Sequence, residues 1–275
     1  MKVYGTGHET YLYINGLGVN QEVSLGDNIE LLPATPSFDV KNIADLVEDP
    51  LDYGVAIIFL PLIKSQLHIT STDSKSLSIT SWNTLWDLVL LSALFNCDAI
   101  SNIQCDKPIE EISNKCNFFI TNHHLRGLSL PIYDLNEKDI LWIEANFTTA
   151  RELLNQPKFR NAVHCLATYH WHSLPNAQLA LLWSGIEGLF NIHSELVFRL
   201  SLYISRFLEK DDHEHRKEIF NNVKNLYKHR SKAVHGSGKI KDPEKAITSS
   251  VQLLRNIIFT CIDNKDLPDQ DKLVL

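Results

Sequence analysis

Hydrophobic positions change their period partway along this chain. Thr10-Tyr-Leu-Tyr-Ile-Asn-Gly16 alternates and runs into a turn signal. Glu22-Val-Ser-Leu-Gly-Asp-Asn28 and Ile29-Glu-Leu-Leu-Pro33 are short stretches of the same texture, so all three predict strands. Residues 54–62 form a continuous apolar run with β-branched members, which predicts a strand buried on both faces; residues 65–70 pair with it or extend it. Residues 81–95 then read as a helix with Ser81 as N-cap and apolar Trp82, Leu85, Trp86, Val89 and Ala93. Strand texture returns at 99–105 and 118–122. The first 135 residues therefore predict an α+β domain whose topology the pattern leaves open.

From Glu137 the period becomes helical and stays so. Predicted helices cover 137–155, 158–172 after Pro157, 175–190, and 194–209 with Ser194 as N-cap. Asp211 or Asp212 opens a long helix, and Asp242-Pro243-Glu244 caps a last one reaching about Ile262. Residues 136–275 thus predict a helical bundle with its core at about 157–265, and the switch of period places the boundary between 135 and 157. A chain of 275 residues suits two modest domains, and 44% hydrophobic with 21% charged residues is an ordinary globular composition. The longest apolar run, 55–63, contains Pro61, so no membrane span is expected. The start, Met1-Lys-Val-Tyr-Gly-Thr-Gly7, lacks an apolar signal region, and five cysteines without a tight repeat suit a reducing compartment; a cytoplasmic protein is expected.

Charge sharpens this picture. The net charge of −7 opposes general coating of nucleic acid, yet residues 216–245 hold nine basic against three acidic side chains. The end of the long predicted helix, Leu226-Tyr-Lys-His-Arg-Ser-Lys-Ala-Val-His-Gly236, lies inside that stretch, with Gly236, Gly238 and Pro243 to stop it. Arg230 is a fixed cation and His235 titrates near neutrality, a combination suited to phosphodiester chemistry. Positions i and i+5 stand about 140° apart on an ideal helix, so the two converge only if the last turn loosens or a second copy completes the site. The same residues also suit plain helix-end design, with basic groups answering the helix dipole and glycine capping.

Three blocks in order resemble the Apea-like branch of the HEPN superfamily, whose members carry an Arg-x4-6-His signature. Leu181-Leu-Trp-Ser-Gly-Ile-Glu-Gly-Leu-Phe190 is similar to the family's Leu-Trp…Glu-x-Leu-Phe helix. Residues 195–207, with Arg199, Leu200, Tyr203 and Ile204, resemble its next helix, and 226–236 is similar to its Tyr-x-x-Arg-Ser-x-x-Val-His-Gly block. The resemblance covers about the last 120 residues and implies an all-α HEPN-like bundle. It implies a metal-independent endoribonuclease with Arg230 and His235 catalytic, no cofactor and no metal, acting on RNA such as tRNA. It also implies a homodimer with a composite site, in antiphage defence or toxin-like growth arrest. The N-terminal domain would then sense a phage-derived trigger or restrain the nuclease. Rival readings are a non-catalytic module that binds RNA, a nucleotide or a protein, and a toxin held by a separate antitoxin.

Around the signature, Ser231, Glu187 and Tyr227 are site-supporting candidates, and Lys228 and Lys232 are candidate RNA contacts. Glu187 sits in an apolar stretch, where a carboxylate must be paired or protonated. Arg199, Tyr203 and Tyr227 read chiefly as core and inter-helix residues. Cys97, Cys105, Cys116, His123 and His124 lack the spacing of a zinc knuckle, and the pairs His170/His172 and His213/His215 read as surface or helix-end residues. Gly5-Thr-Gly and Gly16-Leu-Gly lack the context of a nucleotide cradle.

Overall fold

The computed structural model describes residues 3–5, 7–26, 28–124, 130–192, 196–235 (the His235 side chain excepted) and 240–274. The chain divides into two compact units, Met1–Thr148 and Thr149–Leu275.

The first unit is built on a six-stranded sheet of order β3-β4-β5-β1-β6-β7, every neighbouring pair antiparallel. The strands are β1 (Glu9–Asn15), β3 (Val23–Gly26), β4 (Ile29–Pro33), β5 (Ile63–Thr70), β6 (Ile100–Cys105) and β7 (Phe118–Ile120). Two short strands, β2 (Leu17–Gly18) and β8 (Tyr133–Asp134), pair in parallel. Alternation sorts the side chains of β1. Tyr11 and Tyr13 join a core with Ile43 of α1 (Val40–Leu46) and Val55, Ala56 and Phe59 of α2 (Pro50–Phe59). Leu12 and Ile14, also fully buried, point to the other face. The long helix α3 (Ser74–Phe95) packs on β1 and β5.

Two expectations need correction here. Residues 54–62 are not a buried strand: they lie in α2 and a following 3-10 turn, Leu60–Leu62. Asp49 starts that helix by accepting from the Leu51 and Asp52 amides at 2.7 and 3.3 Å, and Pro50 occupies the first turn, where its missing amide costs nothing. The strand begins only with the next segment, β5, which is hydrogen-bonded on both edges. Helix α3 likewise starts a full two turns before Ser81, with Asp73 capping the Lys75 and Ser76 amides. Ser81 is buried inside it and donates to the Leu77 carbonyl at 2.8 Å, as Thr84 does to Thr80. Because those hydroxyls are satisfied within the helix, the stripe Leu77, Ser81, Thr84, Leu88, Leu91 and Phe95 faces the core, while Trp82 is half exposed.

The second unit is helical. The units divide within α4 (Glu137–Leu153), and the second holds its end together with α5 (Pro157–Thr168), α6 (Pro175–Phe190), α7 (Leu196–Leu208), α8 (His213–His235), α9 (Pro243–Asn264) and α10 (Gln270–Val274). The predicted 158–172 helix ends at Thr168 and continues as a 3-10 turn, Tyr169–Trp171. Ser194, offered as an N-cap, and the stop signals Gly236 and Gly238 lie outside the described residues. Helix α6 is central. It packs against α5, α8 and α9 and buries Leu179, Leu182, Trp183, Ile186, Leu189 and Phe190. The chain is thus an α+β region followed by a helical one.

Candidate functional site

The start of α8 is fixed by two carboxylates. Asp212 accepts from the Glu214 and His215 amides at 2.9 and 3.0 Å. Glu209 accepts from the Asp211 and Asp212 amides and bonds His215 Nδ1 at 2.9 Å. Those bonds hold the Glu209 carboxyl down at about 2, well below the usual range. The helix then runs 23 residues, about 34 Å at 1.5 Å per residue. Val223 and Tyr227 are buried along it. Tyr227 meets Trp183 of α6 edge-on, ring centroids 5.3 Å apart. Trp183 in turn donates to Ser250 of α9 at 3.1 Å, so the aromatic pair joins three helices.

One turn beyond Tyr227, Arg230 meets Glu187 of α6 side-on. Its Nε lies 2.8 Å from Oε1 and its Nη2 2.9 Å from Oε2, with Cζ 5.4 Å from the Tyr227 ring centroid. The two side chains are 20% and 23% exposed. Nη2 donates to Oε2, whereas Nε and Oε1, although 2.8 Å apart, are both enclosed without a hydrogen-bond partner among the described residues; the end-on edge, one N–H on Nη1 and one on Nη2, is the fork that matches a phosphate. Burial, with Glu187 adding to it and Arg230 opposing, pushes the Tyr227 hydroxyl above the usual tyrosine range. Glu187 and Tyr227 therefore position the arginine.

Helix α8 is unbroken through His235, its last residue. Positions 230 and 235 consequently stand about 140° apart around its axis, and the loosened last turn is absent. The His235 side chain lies outside the described residues. Ser231 is half-buried, about 100° from Arg230. Lys228 and Lys232 are exposed and lie about 160° from it, so they serve a different stretch of any ligand. Lys228 donates to Asn225 at 3.2 Å. Sequence reading passed over His229, which is half-buried with an enclosed Nδ1 that meets no hydrogen-bond partner among the described residues. Its place beside Arg230 was the available signal. Arg199 is exposed on α7 and Tyr203 is buried.

In the first unit the cysteines and histidines weighed as ligands separate. His123 bonds Asp52 at 2.5 Å, and Cys97 is buried. Cys105 and Cys116 do approach, with Asp106, so that their ligand atoms lie within 4.8 Å of one another. Both Asp106 oxygens are already taken by Asn117, at 3.0 and 2.7 Å, and burial pushes the Cys105 thiol up to about 12. A protonated thiol beside an occupied carboxylate is a poor metal centre. Gly16 has a steric role instead of a nucleotide-binding one: φ is +75°, and a Cβ there would fall 2.1 Å from the Asp98 carbonyl oxygen.

No known protein family, curated protein or solved structure matches the chain. The functional reading accordingly stands on the Arg230 cluster and on the resemblance of its sequence blocks.

Proposed function

We propose that the helical unit is a HEPN-like, metal-independent endoribonuclease. The observation that carries this is Arg230, paired with Glu187 through Nη2 and with its end-on fork left over, near the end of a basic helix and five residues before a histidine. Arg230 binds a non-bridging phosphate oxygen through its free fork and stabilises the charge that grows there. The substrate's 2′-oxygen attacks the adjacent phosphorus and the P–O5′ bond breaks. His235 moves a proton, as base toward the 2′-hydroxyl or as acid toward the leaving 5′-oxygen, and the complementary transfer falls to water. Products are a 2′,3′-cyclic phosphate and a 5′-hydroxyl. Because 140° of helix separates Arg230 from His235 within one chain, the reading includes a homodimer that completes each site with residues of both copies. A cytoplasmic role in antiphage defence or growth arrest, with the first unit as sensor or restraint, belongs to the same proposal. No described helix is long and apolar enough to cross a membrane.

The test is cleavage of total tRNA by wild type and His235→Ala in EDTA, both shown to be folded. Cleavage by wild type that the substitution abolishes supports the reading. If wild type is silent both as the full chain and as residues 149–275 shown to be folded, the enzyme claim fails. Cleavage that EDTA removes would overturn metal independence.

A further inference from the structure

Beside the Arg230 cluster an open groove of about 850 Å³ runs between α8 and α9. One wall is a helical stripe of α8 that includes Asn222, Asn225 and Leu226; the other is a stripe of α9 that includes Lys245, Gln252, Asn256 and Phe259. From His215 to Leu226 the α8 wall is about 16 Å long, by helical rise. The Leu226 end lies one turn before Arg230, and His215, bonded to Glu209, closes the other.

Two properties of this groove point to one kind of occupant. The chain has 33 acidic residues and a net charge of −7, yet among the described residues no carboxylate lines the groove and Lys245 does. The four amides are exposed, so they are not filling a core. Each presents donor and acceptor together, the pattern that reads the edge of a base. At the far end the half-buried Phe259 ring carries the Arg255 guanidinium, whose Cζ lies 5.4 Å from its centroid. In an RNA duplex the base edges are paired and the major groove is too deep and narrow to admit side chains, whereas an unpaired strand offers them freely. We infer that this groove holds the unpaired nucleotides flanking the scissile phosphate, and that Asn222, Asn225, Gln252 and Asn256 give the site its base preference. Gln252 and Asn256, bonded to each other at 2.7 Å, exchange that bond for bonds to a base. The inference rests on the nuclease reading for the identity of the ligand, but its test needs no cleavage.

The experiment measures fluorescence anisotropy of labelled 2′-O-methyl RNA, which has no attacking hydroxyl, with the full-length protein. Strands of about 12 nucleotides are used, within the site sizes of single-strand binders. The Gln252→Ala/Asn256→Ala pair and Lys245→Ala are compared with wild type. All three positions are exposed, and melting curves check folding. The amide pair is expected to weaken single-strand binding by about tenfold, the size of one lost base contact, and Lys245→Ala by about threefold, as loss of one phosphate contact does. A duplex of equal length is expected to bind less tightly than the single strand. Wild-type affinity in folded variants overturns the inference, as does a duplex bound equally well. A change in dimerisation without loss of RNA binding makes the groove an interface between copies and also overturns it. Binding lost in the variants of a protein that never cleaves RNA would sink the nuclease and keep the groove.

Discussion

At the scale of single residues, the Glu187–Arg230 pair decides most. One hydrogen bond, from Nη2 to Oε2 at 2.9 Å, and a 2.8 Å ion-pair contact between Nε and Oε1 hold the guanidinium against the carboxylate, which orients the cation as well as neutralising it. Removing one partner of a buried pair is costly because the other charge is left without compensation. Here both side chains keep about a fifth of their surface, and water softens the loss; Glu187→Ala is expected to cost about 1–3 kcal/mol. Glu187→Gln keeps the shape and one acceptor but not the charge. It is expected to lower RNA cleavage by about tenfold or more, as loss of orientation does, with a smaller drop in melting temperature than Glu187→Ala. Arg230→Lys is expected to fail for a related reason, since an ammonium cannot bond Glu187 side-on and offer a fork at once. Wild-type cleavage by Arg230→Lys would show that a point charge suffices. Glu187 could be read from sequence as a carboxylate that needed a partner. Which cation answered it could not, because the two residues are 43 positions apart.

At the scale of elements, packing of α6 makes a sharp contrast within one helical turn. A Cβ on Gly185 would lie 3.1 Å from Cys165 Cβ and Leu254 Cδ2 and 3.3 Å from the Ala162 Cα, wedging α6 away from α5 and α9. A Cβ on Gly188 would meet only Asn161 Nδ2, at an ordinary 3.6 Å. Gly185→Ala is therefore expected to destabilise by about 1–3 kcal/mol through overpacking. Gly188→Ala is expected to stabilise by up to about 1 kcal/mol from helix propensity. Paired denaturant titrations decide it, and equal effects would remove the tight α5–α6–α9 contact. The α8 start gives a pH signature. Glu209 is held at about 2 against an ordinary 4.5, so its contribution is present above the ordinary value and disappears as pH falls toward 2. The melting-temperature gap between wild type and Glu209→Gln should shrink over that window, and a gap constant with pH would remove Glu209 as the charged cap. Helices of the second unit were legible because they combine long periodic stretches with capping signals such as Asp242-Pro243. Residues 54–62 misled because a short apolar run carries no period that separates strand from helix. The deciding signal, Asp49-Pro50, lay just before it. The face of α3 misled for a different reason: serine and threonine satisfied by their own helix can point inward and leave tryptophan outside.

At the scale of the whole molecule, the sequence put Arg230 and His235 in one motif, and the straight helix keeps them apart. Helix α8 is regular to its last residue, so on the proposed nuclease reading a proton-transfer group at 235 and the cation at 230 come together on one phosphate through two chains. This makes the subunit origin of each group measurable. Let Arg230→Ala and His235→Ala proteins, each inactive alone, be mixed under conditions where subunits exchange. Half of the dimers are then mixed. In a mixed dimer one site joins both substitutions, while the other joins the intact arginine of one chain to the intact histidine of the other. Random pairing thus restores about a quarter of wild-type cleavage from two dead proteins. A site built within one chain restores none at any ratio, because every chain carries a lesion. Activity that rises to a maximum at equal mixing supports the composite site. A flat line at zero, with exchange verified by a labelled subunit, would send the search for the proton-transfer group back to the same chain, where His229 adjoins Arg230 with an Nδ1 that has no hydrogen-bond partner among the described residues.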